Sequence, residues 1–169
     1  MLQPEELKKT APGYERENLR FRSFLKKYAD SAELDQLFEE LHNRLFDGYD
    51  CCSCGNCCRD FNICFSDEDI KRIAEHLNLT EAGFISSFLT VDDEGEYVVE
   101  PPCIFLEPDG RCRIQICKPV ECAGFPFTDK PDRLSCLYGV MDFAQSCPVV
   151  FEIVEELKQI YGFRRRAES

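Results

Sequence analysis

Five of the chain's twelve cysteines fall within eight residues, Cys51-Cys52-Ser53-Cys54-Gly55-Asn56-Cys57-Cys58. Cys51, Cys54 and Cys57 form a C-x2-C-x2-C run, and Cys58 follows directly. A two-residue spacing lets successive sulfurs curl back toward one point, because the intervening backbone can close a tight turn. Gly55-Asn56 tolerates the positive φ that such a turn asks for. Thiolate is the ligand form of cysteine, and a bound cation lowers the thiol pKa and offsets the crowding of negative sulfurs. The stretch therefore reads as half of a metal site whose other half comes from later in the chain.

Those later thiols need elements to carry them. Residues 101–106, a turn at Pro108-Asp109-Gly110 and residues 111–114 predict a β-hairpin with Cys103 and Cys112 on its two arms. The segment from Cys117 to Phe127, with two prolines and a glycine, predicts ordered irregular structure around Cys117 and Cys122. Cys136 lies within residues 134–143, and Cys147 stands before Pro148. Upstream, residues 1–14 predict an unstructured lead-in ending at Ala11-Pro12-Gly13, followed by a moderately amphipathic helix over 15–29. A clearer helix carries Leu34, Leu37, Phe38, Leu41 and Leu45, with Asp30-Ser31 as its start and Gly48 as its stop. Residues 59–65 alternate like a short strand. Ser66-Asp67-Glu68-Asp69 is a capping box that opens a helix over Ile70, Ile73, Ala74 and Leu77, and Thr80-Glu81 opens another with Phe84 and Phe88. A turn at 92–95 leads into a strand at 96–99. Phe151, Val154, Leu157 and Tyr161 predict a last amphipathic helix.

Composition narrows the function classes. The formal net charge of −12 argues against a nucleic-acid footprint, which needs a basic face. The basic run Arg164-Arg165-Arg166 reads as a solvated tail. No segment approaches the ~18 apolar residues of a membrane span, and the polar, acidic N-terminus is unlike a secretory signal. The expectation is a cytoplasmic protein, where cysteines serve as ligands or redox groups rather than as a disulfide framework. His42 and His76 sit in no motif and read as packing or surface histidines, which removes mixed Cys/His zinc sites as the default.

With the segments placed, the sequence resembles the CxxCxxCC domain family, described as zinc- or iron-chelating proteins and also classed as Fe–S-cluster-containing proteins. The matching parts are Cys51-x2-Cys54-x2-Cys57-Cys58, the acidic helix start at Asp67-Glu68-Asp69-Ile70, and Pro102-Cys103-Ile104-Phe105-Leu106. They continue with Gly110-Arg111-Cys112-Arg113-Ile114, Lys118-Pro119-Val120-Glu121-Cys122, Phe125-Pro126-Phe127 and Cys147-Pro148. The family's usual Arg-Pro pair is Lys118-Pro119 here, and its Arg after the next cysteine is Ala123. The resemblance implies a metal-ligand set of Cys51, Cys54, Cys57, Cys58, Cys103, Cys112, Cys122 and Cys147, leaving Cys52, Cys64, Cys117 and Cys136 as additions. Of these, Cys64 and Cys136 read as buried or inert side chains.

Eight thiolates suit two four-thiolate sites. One partition groups Cys51, Cys54, Cys57 with Cys147, and Cys58 with Cys103, Cys112 and Cys122, since neighbours Cys57 and Cys58 in extended backbone would point to opposite sides. Three thiols at successive x2 spacing suit an iron–sulfur cluster, 4Fe-4S in the ferredoxin manner, and zinc is the rival. The expected architecture is α+β: a small cysteine-rich metal-binding core with a short β-hairpin, flanked by α-helices. Its expected division is a helical segment at 1–49, the metal-binding domain at 50–148, and a C-terminal helix with a basic tail at 149–169. The expected function is a metal-chelating cysteine-cluster protein with a redox, sensing or metal-handling role, binding metal ions and docking a protein redox or substrate partner. The alternatives are a zinc-binding structural protein and a component of an S-adenosylmethionine-dependent methyl-transfer system, as implied by the occurrence of the cysteine domain in a flagellin lysine methylase. Enzymatic activity stays open, because no glycine-rich nucleotide loop and no catalytic triad stand out.

Overall fold

The computed structural model describes residues 1–163, so the Arg164-Arg165-Arg166 run lies outside the described residues. In chain order the elements are α1 (Pro4–Thr10), α2 (Glu15–Tyr28), α3 (Ser31–Phe46), α4 (Cys51–Cys54), α5 (Asn56–Asp60), β1 (Ile63–Cys64) and α6 (Asp67–His76). They continue with α7 (Glu81–Phe88), β2 (Thr90–Val91), β3 (Tyr97–Val99), α8 (Val120–Gly124), α9 (Arg133–Phe143) and α10 (Pro148–Ile160), with 3₁₀ turns at Ala11–Tyr14 and Gln115–Cys117. The expected α+β class holds: helices dominate, and one three-stranded antiparallel sheet has the order β1-β3-β2. The chain divides into two compact units, residues 1–49 with 126 onward, and residues 50–125.

Among the described residues the first unit is all helical. Phe21 and Leu25 of α2, Leu34 and Phe38 of α3, Leu137 and Val140 of α9, and Ile153, Val154 and Leu157 of α10 are buried along facing stripes. The packed pairs are α2 with α9, α3 with α9 and α10, and α9 with α10. Asp30 caps α3 by accepting the N–H groups of Ala32 and Glu33, each at 3.0 Å, a contact worth about 1 kcal/mol. Residues 1–14, expected as a lead-in, are instead ordered. Leu7 and Ala11 are fully buried with Phe151, and Tyr14 meets that ring edge-on at 5.1 Å. Burying one leucine stabilises by about 1.5–3 kcal/mol, enough to override the turn signal of Pro12-Gly13. His42 packs on Phe46 and bonds Thr128 Oγ1 at 2.8 Å, a structural role as its sequence context implied.

The second unit holds the sheet and five short helices. Ser66 and Asp69 form the expected capping box at the start of α6, and Thr80 caps α7 by accepting from Gly83 N–H at 3.1 Å. Ile70, Ile73 and Ala74 of α6 pack with Phe65, Phe84, Val99, Phe105 and Ile114 into one apolar core. The sheet pairs Ile63 with Val99, Cys64 with Val98, Thr90 with Val98 and Val91 with Tyr97. The hairpin expected over 101–114 is reduced to a single bridge, Leu106 to Cys112, closed by bonds from Glu107 N–H to Arg111 O and from Arg113 N–H to Phe105 O, both 2.8 Å. Two causes stop the ladder. Pro101 and Pro102 have no N–H to give, and the Cys103 N–H is spent on the Cys58 carbonyl at 2.7 Å.

Candidate metal centre

The cysteine stretch is wound rather than extended. Asp50 Oδ1 accepts the Cys52 N–H at 2.9 Å and starts α4. Gly55, at φ +60°, reverses the chain into α5. Cys57 and Cys58 are therefore consecutive helical residues, fanned by about 100° rather than set on opposite faces. That removes the backbone argument for sending them to separate sites.

Backbone and side-chain bonds draw four segments of this unit together. The Cys58 carbonyl holds Cys103. The turn before Cys112 lies so close to α4 that a Cβ on Gly110 would fall under 3.0 Å from the Cys52 carbonyl oxygen. Asp69, the buried capping residue of α6, also accepts the Val120 N–H at 3.2 Å through Oδ1, and Arg72 bonds both that same oxygen at 2.5 Å and the Lys118 carbonyl at 2.8 Å. Glu121 Oε2 accepts the Cys64 N–H at 3.0 Å, pinning α8 to β1. Asp69, Arg72 and Glu121 are thus positioning residues for the Cys117–Cys122 segment. Asp69 is legible in the sequence as a capping residue, and only the fold shows that it and Glu121 each reach a second element.

The result is a cavity of about 210 Å³ faced by Cys51, Cys52, Cys57, Cys58, Cys103, Cys112 and Cys122, with Lys118 at its wall and Phe61, Phe65, Phe105 and Phe125 among its apolar lining. Six of the eight expected ligands therefore share one space. Cys54, half-buried, is not on the lining, and Cys147 belongs to the helical unit, where it is buried at the N-cap of α10. Among the additions, Cys52 faces the cavity, with its Sγ 3.9 Å from Gln115 Oε1. Cys117 is buried in the apolar core, Cys64 is half-buried in β1, and Cys136 is exposed on α9.

The thiols of this cavity feel one another. The Cys122 thiol is pushed up to about 12, first by burial and then by the charges of Cys58, Cys103 and Cys112. Burial likewise pushes Cys103 and Cys112 up, with Cys58 adding to each, and raises Cys51, with Cys54 next. Cys58 goes the other way, to about 6, chiefly through a hydrogen bond from Cys57, with Lys118 and Arg59 assisting and burial opposing. At neutral pH Cys58 is therefore a ready thiolate, while Cys51, Cys103, Cys112 and Cys122 hold their protons until a cation enters. Lys118 lowers Cys51, Cys58, Cys112 and Cys122 alike, so the residue replacing the family's usual arginine still serves as local countercharge. Among the described residues no three Cys, His, Asp or Glu side chains converge at single-ion distance. The donors ring a space rather than a point. The soft donor set and the need for positive charge both fit a thiophilic metal.

Residues 50–148 match the CxxCxxCC family, described as a "putative zinc- or iron-chelating domain". Neither a curated protein nor a solved structure matches the chain.

Proposed function

The chain belongs to the CxxCxxCC family, and from that premise we propose that its cysteine-lined cavity holds an iron–sulfur cluster, 4Fe-4S in type, in preference to a single zinc ion. The observation that carries this is the size of the space the thiols surround. Four thiolates at ~2.3 Å from one zinc stand about 3.8 Å apart and in contact, leaving nothing to fill. Here the cysteines line about 210 Å³, far more than a single ion or water needs, which suits a polynuclear group.

The proposed ligands are Cys58, Cys103, Cys112 and Cys122, whose thiols are electrostatically coupled. Cys51 and Cys57 face the same space. Cys54 and Cys147, which the family resemblance implies as ligands, do not line this cavity, and serine variants read by metal content test each. When bound, such a cluster supplies a one-electron couple tuned by hydrogen bonding and burial around its sulfurs. The chain's own residues do the rest: Cys58 offers the first thiolate, Lys118 offsets negative charge, and the phenylalanine wall limits water. A redox, sensing or metal-handling role follows, with an acidic surface suited to a basic protein partner.

Oxygen-free purification tests the reading. The expected material is brown, carries iron and sulfide near parity, and gives a paramagnetic signal on reduction with dithionite. Colourless protein with zinc alone at full occupancy overturns it and leaves the structural zinc reading.

A further inference from the structure

The helical unit contains a second polar cavity that the thiol chemistry does not use. It is small, about 60 Å³, and is lined from α2 by Glu15 and Asn18 and from α9 and its exit by Tyr138, Asp142 and Gln145. Asn18 is 1% exposed, yet neither its Oδ1 nor its Nδ2 has a hydrogen-bond partner, and Gln145 Nε2 is also buried without one. A buried, unpaired amide is costly and calls for an occupant. Glu15 and Asn18, three residues apart, share one face of α2, and the end of α9 and the turn after it bring Asp142 and Gln145 to the same cavity.

The oxygens available are the exposed Glu15 and Asp142 carboxylates, Asn18 Oδ1, and Gln145 Oε1 once its amide is turned by half a rotation, while the Asn18 amide N–H groups are left for water. Oxygen donors of mixed carboxylate and amide type suit a hard cation, and calcium tolerates their irregular geometry better than magnesium does. The space holds an ion with about one or two waters. The C-terminal turn of α9 presents the negative end of its dipole to the site, while the first turn of α2 opposes it and Glu15 there compensates. Arg22, whose guanidinium lies 5.7 Å from the centre of the Tyr138 ring, limits the affinity. The net charge of −12 favours cation accumulation.

We propose that Glu15, Asn18, Asp142 and Gln145 form a calcium-type cation site in the helical unit, separate in chemistry from the thiol site. With two carboxylates the affinity for calcium belongs on the order of 10⁻⁴ to 10⁻³ M. Terbium titration of the full chain tests it, since the chain has no tryptophan and Tyr138 on the cavity wall is the natural sensitiser. Thiolates are soft and do not compete for a lanthanide. The expected result is saturable sensitised emission at one ion per chain, displaced by calcium. Asp142→Asn, on an exposed side chain that leaves the fold intact, weakens binding at least tenfold. Tyr138→Phe abolishes emission while calorimetric calcium binding persists. No saturable emission, or emission that Asp142→Asn and Tyr138→Phe leave unchanged, overturns the proposal and assigns the cavity to ordered water.

Discussion

Gly110→Ala should damage the cysteine unit far more than Gly95→Ala, and the difference measures how tightly the turn before Cys112 is seated on α4. Both glycines adopt left-handed backbone, at φ +87° and φ +90°, so both substitutions carry the same conformational cost of about 1–2 kcal/mol. They differ in surroundings. A Cβ at Gly95 meets nothing within 4 Å, whereas one at Gly110 collides with the Cys52 carbonyl oxygen, a backbone atom that cannot rotate away. Overpacking of that kind adds about 1–3 kcal/mol. The gap between the variants should then be about 1–3 kcal/mol, or several degrees in Tm at about 2–4 °C per kcal/mol for a chain of this size. Displacing the turn also moves Cys112 relative to α4 and α5, so Gly110→Ala should lose bound metal while Gly95→Ala retains it. The assay is denaturant unfolding with metal analysis on both variants, prepared in parallel without oxygen. Equal stability and equal metal content would refute the packing described between the turn and α4.

Cys58→Ser and Cys122→Ser should each abolish most metal loading, and Cys136→Ser, on an exposed thiol outside the cavity, should leave it unchanged by elemental analysis. Metal affinity should rise steeply with pH. Cys103, Cys112 and Cys122 are raised and must each release a proton, giving about three decades per pH unit near neutrality, with Cys58 adding to the slope only below about 6. Competition titrations at several pH values read that slope, and a flat profile would contradict the raised thiols. Burial opposes ionisation of Asp69, but bonds from Ser66, Arg72 and Val120 outweigh it and hold its carboxyl below the usual range. Its contribution is therefore full above about pH 4 and lost as pH falls through the depressed folded value. Asp69→Asn should cost about 1–3 kcal/mol at neutral pH and flatten the acid limb of the stability curve. In the helical unit, Lys158 is 4% exposed and bonds Glu17 at 2.8 Å and Glu155 at 2.5 Å. Lys158→Met should cost about 3–5 kcal/mol, and the added Glu17→Gln should recover part of it. Additive losses in that double variant would argue against a coupled pair.

The sequence made the regular helices legible because each carried its own periodicity and cap: Ser66 and Asp69 for α6, Asp30 for α3, Pro148 and the Phe151–Val154–Leu157 stripe for α10. Six of the cysteines that the family resemblance implies as ligands line one cavity. What escaped was decided between segments. Nothing local in Met1-Leu2-Gln3-Pro4 says that Leu7 will be buried with Phe151. The hairpin pattern over 101–114 gave no sign that Cys58 would claim the Cys103 N–H. The turn at Gly55 is legible, but Cys51 to Cys58 contain no apolar periodicity, so the helical winding on either side of it, started by the Asp50 cap, shows only in the folded chain. Cys52 lines the cavity and Cys54 does not, because helical turns rather than an extended run set their directions.

The restraints that gather the sulfurs also bear on what metal removal should do. Cys58 and Cys103 are joined through their backbones, Asp69 fixes Val120, and Glu121 fixes Cys64, all without a cation. Behind them stands an apolar core of Phe65, Ile70, Ile73, Phe84, Phe105 and Ile114. At about 1.5–3 kcal/mol for each large side chain fully buried, those six residues outweigh any one hydrogen bond at the cavity rim. A unit folded only by its metal would have few such contacts and would lose its helices with the ion, as small zinc domains do. Here the core should survive chelation while the Cys51–Cys58 and Cys117–Cys122 segments loosen. Removing metal from the reduced protein should therefore leave far-ultraviolet dichroism largely intact and expose the cavity thiols to alkylation, with Cys58 reacting first because its thiol is already ionised near pH 7. Cooperative loss of helix on chelation would mean that the metal, and not the phenylalanine core, holds residues 50–125 together.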